Sequence, residues 1–266
     1  MLRKIFSALG SVPFGPVTVK DIQRLTPNMM RVTLVGNLIK DYPDPSGGAH
    51  FKMIVPDKDQ SAGEFGEFIS KGSFKPAMRT YTIRHARQAS GEIDVDIVVH
   101  GDLGRVGPWA QRTAPGEEIV ISKPGKPKLI TAGIQRILAA ADMTGFPALA
   151  AGLETLSEDV VGTAFVEILS EDDRQPVDCP PNIELKWIIK PNPYAPGTEV
   201  VDAMILAPEP DASTSVFVAG EYSTVATLRR HFRKEHPVDK SRCYISSYWK
   251  AGLIEPEHQV VKAKAA

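Results

Sequence analysis

Residues 79–84 read Arg79-Thr80-Tyr81-Thr82-Ile83-Arg84, bringing two guanidinium groups, a phenol and two hydroxyls into one short extended segment. A guanidinium meets a phosphate with paired, charge-assisted hydrogen bonds. A phenol ring can lie against a flat heteroaromatic face, and a Thr hydroxyl or its amide can reach a ring nitrogen. This is the chemistry a flavin dinucleotide requires. The same residues also describe an ordinary surface strand of high β propensity, so the weight of the reading rests on what accompanies them.

Four further segments accompany them. Glu92 to Val99 alternates apolar and polar residues, which predicts a half-buried strand with Ile93, Val95, Ile97 and Val99 facing a core. It ends in His100-Gly101, followed by Gly104 and by Gly107-Pro108-Trp109-Ala110. Glycines permit close backbone approach, and the N–H groups at a helix start can bind a pyrophosphate; the plainer alternative is a turn and a helix that opens on Pro108. Ile137 to Leu149 reads as an apolar strand, a polar turn with Asp142 and Thr144, and a helix. Those two residues stand where α/β units hold ligands, beyond the carboxyl end of a strand, and either could also cap the helix that follows. Phe217-Val218-Ala219-Gly220-Glu221 is a strand meeting a helix that carries Leu228, Arg229, Arg230 and Phe232, and Ser247-Tyr248-Trp249-Lys250-Ala251-Gly252 follows it.

These five blocks, in this order, resemble the siderophore-interacting proteins, FAD-dependent ferric-siderophore reductases of the ferredoxin-reductase-like superfamily. Arg79–Arg84 is similar to the family's R-x-Y-T-x-R flavin motif, Asp142–Leu149 to D-E-T-A-L-P-A-I, Ala219–Glu221 to A-G-E, and Ser247–Gly252 to G-Y-W-R-x-G. The chain departs in having Met143 for Glu, Ser247 for Gly, Lys250 for Arg, a shorter spacing from Gly107-Pro108 to Trp109, and a scrambled Lys123-Pro124-Gly125-Lys126. The resemblance implies an N-terminal antiparallel six-stranded FAD-binding β-barrel followed by a C-terminal α/β nucleotide-binding domain with a parallel sheet, the boundary falling near residue 130. It implies FAD contacts from Arg79, Thr80, Tyr81, Thr82, Arg84, His100, Gly101, Gly107, Pro108 and Trp109. Cofactor contacts from Asp142, Thr144, Gly220, Glu221 and Trp249 are implied as well. A reduced nicotinamide, NADH or NADPH, would deliver a hydride to the flavin, which can pass electrons singly to Fe(III). The chain then needs no proton-transfer residue of its own, only a docking surface for an anionic ferric chelate. Lys52, Lys126 or Lys128, and Lys250 are the candidates the family's fold would bring to one cleft, with Lys262 and Lys264 in the tail.

The periodicity agrees with this organisation. Before residue 130 come short β-like runs, Val17–Val19, Met30–Val35, Phe51–Val55 and Glu118–Ile121, punctuated by Gly and Pro, which predict an antiparallel barrel. After it, Ile137–Ala141, Pro147–Leu156, Thr163–Leu169, Leu185–Ile189, Val200–Leu206 and Ser215–Ala219 predict alternating strands and helices on a parallel sheet. Residues 61–73 read as a loop and the N-terminal ten as a short helix.

Composition excludes other classes. At 266 residues and 42% hydrophobic, the chain can bury a full core. With 31 Lys plus Arg against 32 Asp plus Glu there is no basic field for nucleic acid. Cys179 and Cys243 stand far apart, which rules out a cysteine-ligated cluster and suits a reducing cytoplasm. No run approaches the ~18 apolar residues of a membrane span. The six histidines show no metal-ligand spacing, and His231 with His236, five apart, do not share an α-helical face. Glu171-Asp172-Asp173 reads as a solvated acidic loop; the resemblance puts Ser170 and this run where a 2′-phosphate would be met, with Arg174 nearby, which favours NADH. Two alternatives stay open: ferredoxin as the electron donor, and a flavin-free siderophore-binding module on the same fold.

Overall fold

The computed structural model describes residues 14–57, 60, 64–65, 67, 78–99, 104–127, 130, 133–195 and 197–253. His100, Gly101, Lys128, Lys262, Lys264 and the expected N-terminal helix lie outside them. The chain divides into two compact units, Met1–Pro127 and Lys128–Ala266.

In the first unit, β1 (Phe14–Thr26), β2 (Met29–Val35), β3 (His50–Ile54), β4 (Arg79–Thr82), β5 (His85–Arg87), β6 (Glu92–Val98) and β7 (Glu118–Ser122) form one antiparallel sheet in the order β4-β3-β7-β1-β2-β6-β5. Short helices α1 (Asn37–Lys40) and α2 (Val106–Arg112) flank it. The sheet has seven strands, not six, because the motif segment is interrupted at Ile83-Arg84. The two ends of the strand order, β4 and β5, are consecutive in the chain. Arg84 N–H donates to Asp94 O and Ile83 N–H to Ala49 O, so the bend turns one segment from β3 onto β6. The sheet is barrel-like without a ladder closing it. Its core holds Val32, Leu34, Phe51, Ile93, Val95, Ile97, Ile119 and Ile121.

The alternation of β6 therefore holds, with Ile93, Val95 and Ile97 fully buried, but the strand is not half-exposed: Asp94 and Asp96 are buried too. Register explains it. Asp96 faces Arg31, and Asp94 faces Thr33 on one side and His85 on the other. Arg31 binds Asp96 bidentately at 2.7 and 2.8 Å. Arg87 does the same to Asp94 at 2.8 Å twice, and Thr33 and His85 complete its shell. Arginines thus cover the second face with their stems while neutralising the acids. Of the expected loop at 61–73, Glu64, Phe65 and Glu67 are described and are helical, because Phe65 buries itself against Phe14, Ile54 and Val120.

In the second unit, β8 (Arg136–Ala141), β9 (Val161–Ile168), β10 (Ile183–Ile189), β11 (Thr214–Glu221) and β12 (Cys243–Trp249) make a sheet in the order β10-β9-β8-β11-β12, every pair parallel. Helix α3 (Phe146–Leu153) links β8 to β9, α4 (Thr198–Leu206) links β10 to β11, and α5 (Tyr222–Arg230) links β11 to β12. Val200, Met204, Val225, Leu228 and Phe232 pack on the face presented by Leu138, Phe165, Val216 and Val218. The chain winds outward from β8 to β10, then returns to the other side at β11. The strand order reverses between β8 and β11, where such sheets open a crevice at their carboxyl ends. No helix among the described residues is long and apolar enough to cross a membrane.

The Asp94 cluster yields a test of how the first unit is held. Burial pushes the Asp94 carboxyl up, but Arg87, His85 and Thr33 outweigh it and hold it well below the carboxylate range. A depressed carboxyl contributes stability above the unfolded pKa of about 3.9, and loses it as pH falls below that value. Asp94→Asn is expected to cost about 3 kcal/mol in urea unfolding at pH 7, from the loss of one partner in a buried pair, with the difference from wild type shrinking below pH 4.

Candidate functional site

Two constellations emerge, one in each unit. In the first, Arg79, Thr80, Tyr81 and Thr82 lie on β4, at one end of the sheet order. The ladder sets Lys52 opposite Thr80 and Phe51 opposite Tyr81. Lys52 Nζ hydrogen bonds to Thr80 Oγ1, and the Tyr81 ring leans on the core. Arg79 is half-buried, its guanidinium donating to Met78 O at 3.1 Å. Thr82 is 7% exposed, so what the edge strand offers a ligand with phosphates and a flat ring is a guanidinium, the Thr80 hydroxyl and a half-buried phenol.

Arg84 differs from its partner in the motif. Its side chain is 6% exposed, lies 3.9 Å from Asp96 and contacts the His85 ring at 2.9 Å. It serves the barrel's ionic cluster. Trp109 also turns inward: its ring is fully buried and its indole N–H donates to Glu117 at 3.0 Å. Pro108 sits at the third position of α2, after Val106 and Gly107, so the helix does not open on it. The Gly107 α-carbon lies against the Val98 carbonyl, where a side chain would begin 3.2 Å from that oxygen. Helix α2 is thereby pressed onto the end of β6. Lys126 is exposed on the segment after β7, next to Gly125, whose N–H donates to His50 O at 2.9 Å.

In the second unit, Asp142 stands immediately after β8, at the reversal point. Its Oδ1 accepts from Thr144 N–H, Thr144 Oγ1 and Gly145 N–H at 2.8, 2.6 and 3.0 Å. Its Oδ2 accepts from the Trp249 indole at 2.8 Å. Capping and site-building are here the same act. Gly220, at the end of β11, makes this approach feasible, because a Cβ there would stand 2.6 Å from Asp142 Oδ2. Gly145 is constrained likewise, with Ala219 O only 2.3 Å from where its Cβ would be. Glu221, expected as a cofactor contact, is 6% exposed. It caps α5 through Ser223 and accepts from Ala251 N–H at 3.2 Å, joining the helix start to the segment after β12. Trp249 meets the ring of Tyr194 edge-on at 5.7 Å, and Lys250 lies 4.6 Å over the ring of Tyr222.

Sequence reasoning missed a neighbouring cluster. Glu167 near the end of β9, Lys190 after β10, Thr224 in α5 and Gly197 at the cap of α4 converge: a Cβ on Gly197 would meet Thr224 Oγ1 at 2.5 Å, Glu167 Oε1 at 3.0 Å and Lys190 Nζ at 3.1 Å. Thr224 Oγ1 is a buried polar atom without a hydrogen-bond partner among the described residues. The signal that could have found Glu167 is an acid inside the otherwise apolar run of β9. The acidic run at 171–173 is solvated at Glu171 and Asp172, as expected, but not at Asp173. It forms a 3-10 turn in which Asp173 is fully buried and accepts from the amide and hydroxyl of Ser170, while Glu171 pairs with Arg174. The rings of His231 and His236 come within 4.6 Å between centroids, tilted by 36°, against the α-helical expectation, because residues 231–235 wind as a π-helix with five-residue closure. Among the described residues no His, Cys, Asp or Glu group has metal-ligand geometry.

Burial pushes the Glu167 carboxyl up to about 7, with Asp142 adding to the rise and Lys190 opposing it. The folded chain thus keeps a proton that the unfolded chain loses above its usual 4.5. Stability is therefore shed as pH rises between those values. Thermal or urea unfolding from pH 5 to 7.5 should show Glu167→Gln escaping a decline of ~2 kcal/mol that the wild type suffers, at about 1.4 kcal/mol per pH unit; equal slopes for the two proteins would place the proton elsewhere.

The chain is similar to known proteins along its length. Residues 18–128 match the siderophore-interacting FAD-binding domain, and residues 134–252 match the siderophore-interacting protein family. Ferric vibriobactin reductase ViuB of Vibrio cholerae is 30% identical over 233 residues, covering 86% of each chain. The NADPH-dependent ferric-chelate reductase of Escherichia coli is 25% identical over 252 residues, covering 90% of this chain and 93% of that one. Among solved structures, the siderophore-interacting protein SipS from Aeromonas hydrophila superposes with a TM-score of 0.82 at 29% identity, over 95% of this chain and 98% of its own. Two family matches in chain order, together with relatives alike over nearly their whole lengths, establish that this chain belongs to the siderophore-interacting protein family.

Proposed function

We propose that the chain is an FAD-dependent ferric-siderophore reductase using a reduced nicotinamide. The observation that carries the reading is the donor set of Arg79, Thr80 and Tyr81 on an edge strand, within the segment that matches the siderophore-interacting FAD-binding domain. FAD, when bound, takes a hydride from NADH or NADPH and gives electrons one at a time to Fe(III). Iron held by hard oxygen ligands is gripped largely through its charge, so reduction loosens the chelate.

In this reading the chain's residues bind and orient. Arg79 would meet a phosphate, Thr80 the polar edge of the ring and Tyr81 its face, while the buried Thr82 supports the strand from within. The start of α2, with Gly107 close to the backbone of β6, offers amides to the pyrophosphate, and His100-Gly101 precede it. Arg84 and Trp109 position these elements from within the barrel. Asp142, Thr144, Gly220, Glu221 and Trp249 shape the crevice at the strand reversal, where the nicotinamide is proposed to enter. Asp142 and Glu221 act through the turns they hold, since their oxygens are engaged inside the unit.

Two finer points belong to the same reading. The Escherichia coli relative is NADPH-dependent by name; here Glu171 and Asp172 are exposed beside Ser170, and Glu171 occupies Arg174. Like charge at that place favours NADH serving at least as well as NADPH. Lys52, Lys126 and Lys250 are proposed to meet the anionic ferric chelate, each within its own unit, and free thiols at Cys179 and Cys243 suit the reducing cytoplasm.

Arg79→Ala is expected to purify with sub-stoichiometric flavin, each lost charge-assisted bond being worth ~1.5–3 kcal/mol; full FAD occupancy at unchanged affinity would remove Arg79 from the site. For docking, rising salt should raise the apparent constant for ferric siderophore while leaving flavin reduction by its donor intact. The Lys52→Ala, Lys250→Ala double variant should do the same at low salt, at on the order of 1 kcal/mol per exposed contact. Wild-type kinetics in that variant would end the docking proposal while leaving the flavin assignment standing.

A further inference from the structure

The segment after β10 leaves one edge of the second sheet and reaches back over its carboxyl ends. β10 and β12 are the two edge strands, yet Tyr194, soon after β10, meets the ring of Trp249, the last residue of β12. Trp249 itself leans inward from its edge, since its indole donates to Asp142 just past the end of β8. The two rings thus arrive from opposite edges and meet over the strand reversal between β8 and β11. The chain is long enough for this. The reversal lies two and a half strand spacings from β10, about 12 Å at ~4.8 Å each, and the four residues from Lys190 to Tyr194 can span about 13 Å when extended.

Both roots of the segment are held in the unit, and its middle is exposed. At the start, Lys190 N–H donates to the Ile168 carbonyl at 2.7 Å, and Lys190 Nζ lies 3.4 Å from Glu167 Oε2. At the far end Gly197 is buried against Thr224, Glu167 and Lys190, where a side chain has no room. Between them Pro191, Asn192 and Tyr194 are exposed. Asn192 shapes a turn, its side chain accepting from Tyr194 N–H at 3.0 Å and its carbonyl from Ala195 N–H at 3.2 Å. Pro191 and Pro193 fix their own φ, so the segment is a stiff strap that moves about its roots. Trp249 is the post, half-buried and bonded to Asp142, while Tyr194 is 43% exposed and carried by the strap. Their contact is edge-on, at 5.7 Å and 89°, which leaves no room for a third ring between them.

We propose that Tyr194 is a gate on the dinucleotide crevice: its ring, closed on Trp249, covers the strand reversal, and a nicotinamide dinucleotide enters when the strap carries that ring away. This rests on the nicotinamide reading above. An edge-on aromatic pair favours the closed form by a factor of about two to ten, and a binding-competent form that is only partly populated weakens the apparent affinity by that fraction.

Titration calorimetry of the flavin-loaded protein with NAD+ and with NADP+, neither of which reduces flavin, reads the gate without turnover. Anaerobic stopped flow with NADH and NADPH reads the reaction. Tyr194→Ala is expected to bind the oxidised dinucleotides about two- to tenfold more tightly than wild type. Its flavin should reach half-maximal reduction rate at a correspondingly lower donor concentration, with the limiting rate unmoved. Tyr194→Phe, which keeps the ring, should match wild type. Equal or weaker binding by Tyr194→Ala, with the donor bleaching the flavin of both proteins, would overturn the gate and leave the nicotinamide reading standing. Bleaching in Tyr194→Ala alone would support a gate that is shut in the wild type. Neither binding nor bleaching in either protein would contradict the nicotinamide reading, and the gate with it.

Discussion

Four donors converge on the carboxylate of Asp142: the Thr144 amide and hydroxyl, the Gly145 amide and the Trp249 indole. The rest of the second unit is arranged so that this convergence is feasible. The strand reversal places the ends of β8 and β11 side by side, Gly220 gives up its side chain to admit the carboxylate, and Gly145 lets α3 start against the Ala219 carbonyl. A half-buried acid loses part of its hydration and recovers it from donors of the fold, so the turn, the glycines and the tryptophan support one another. Glu221 repeats the device a few residues away, joining the start of α5 to Ala251. The sequence blocks that first suggested a cofactor crevice are the residues that hold its rim in shape.

The first unit solves the same problem with cations. Asp94 and Asp96 are tolerated on a strand buried on both faces because Arg31 stands opposite Asp96 in register, Arg87 reaches Asp94 diagonally from β5, and Arg84 approaches Asp96 from the bend between β4 and β5. The motif's two arginines thereby divide their labour. Arg84 is committed to the ionic cluster, while Arg79 sits five residues earlier on the edge strand. An assignment from residue type alone gives both guanidiniums one role, and burial separates them.

How much could be read beforehand follows from the range of each interaction. The alternation of β6, the glycine-marked turn at Asp142 and the switch from short strands to alternating elements are local patterns, and they were legible. The pairing of Asp94 with Arg87 across two strands depends on register, so the acids looked solvent-facing. Trp109 resembled a ligand contact because the motif names its type, but its indole bonds Glu117 within the fold. Glu167, Lys190 and Thr224 come from three elements far apart in the chain, and only the parallel winding brings them to Gly197. His231 and His236 were separated by an argument valid for an α-helix, which the π-helix sets aside.

Everything proposed for the site reduces to electrons passing from a nicotinamide through one flavin to iron. Anaerobic mixing of the yellow protein with NADH or NADPH, followed by ferric siderophore, tests that most directly. The account predicts loss of flavin absorption with NADH at least as fast as with NADPH, then its return as Fe(II) appears, captured by a ferrous chelator. A flavin that neither nicotinamide bleaches would contradict the donor and turn attention to ferredoxin. A bleached flavin that ferric siderophore fails to reoxidise would contradict the reductase reading itself.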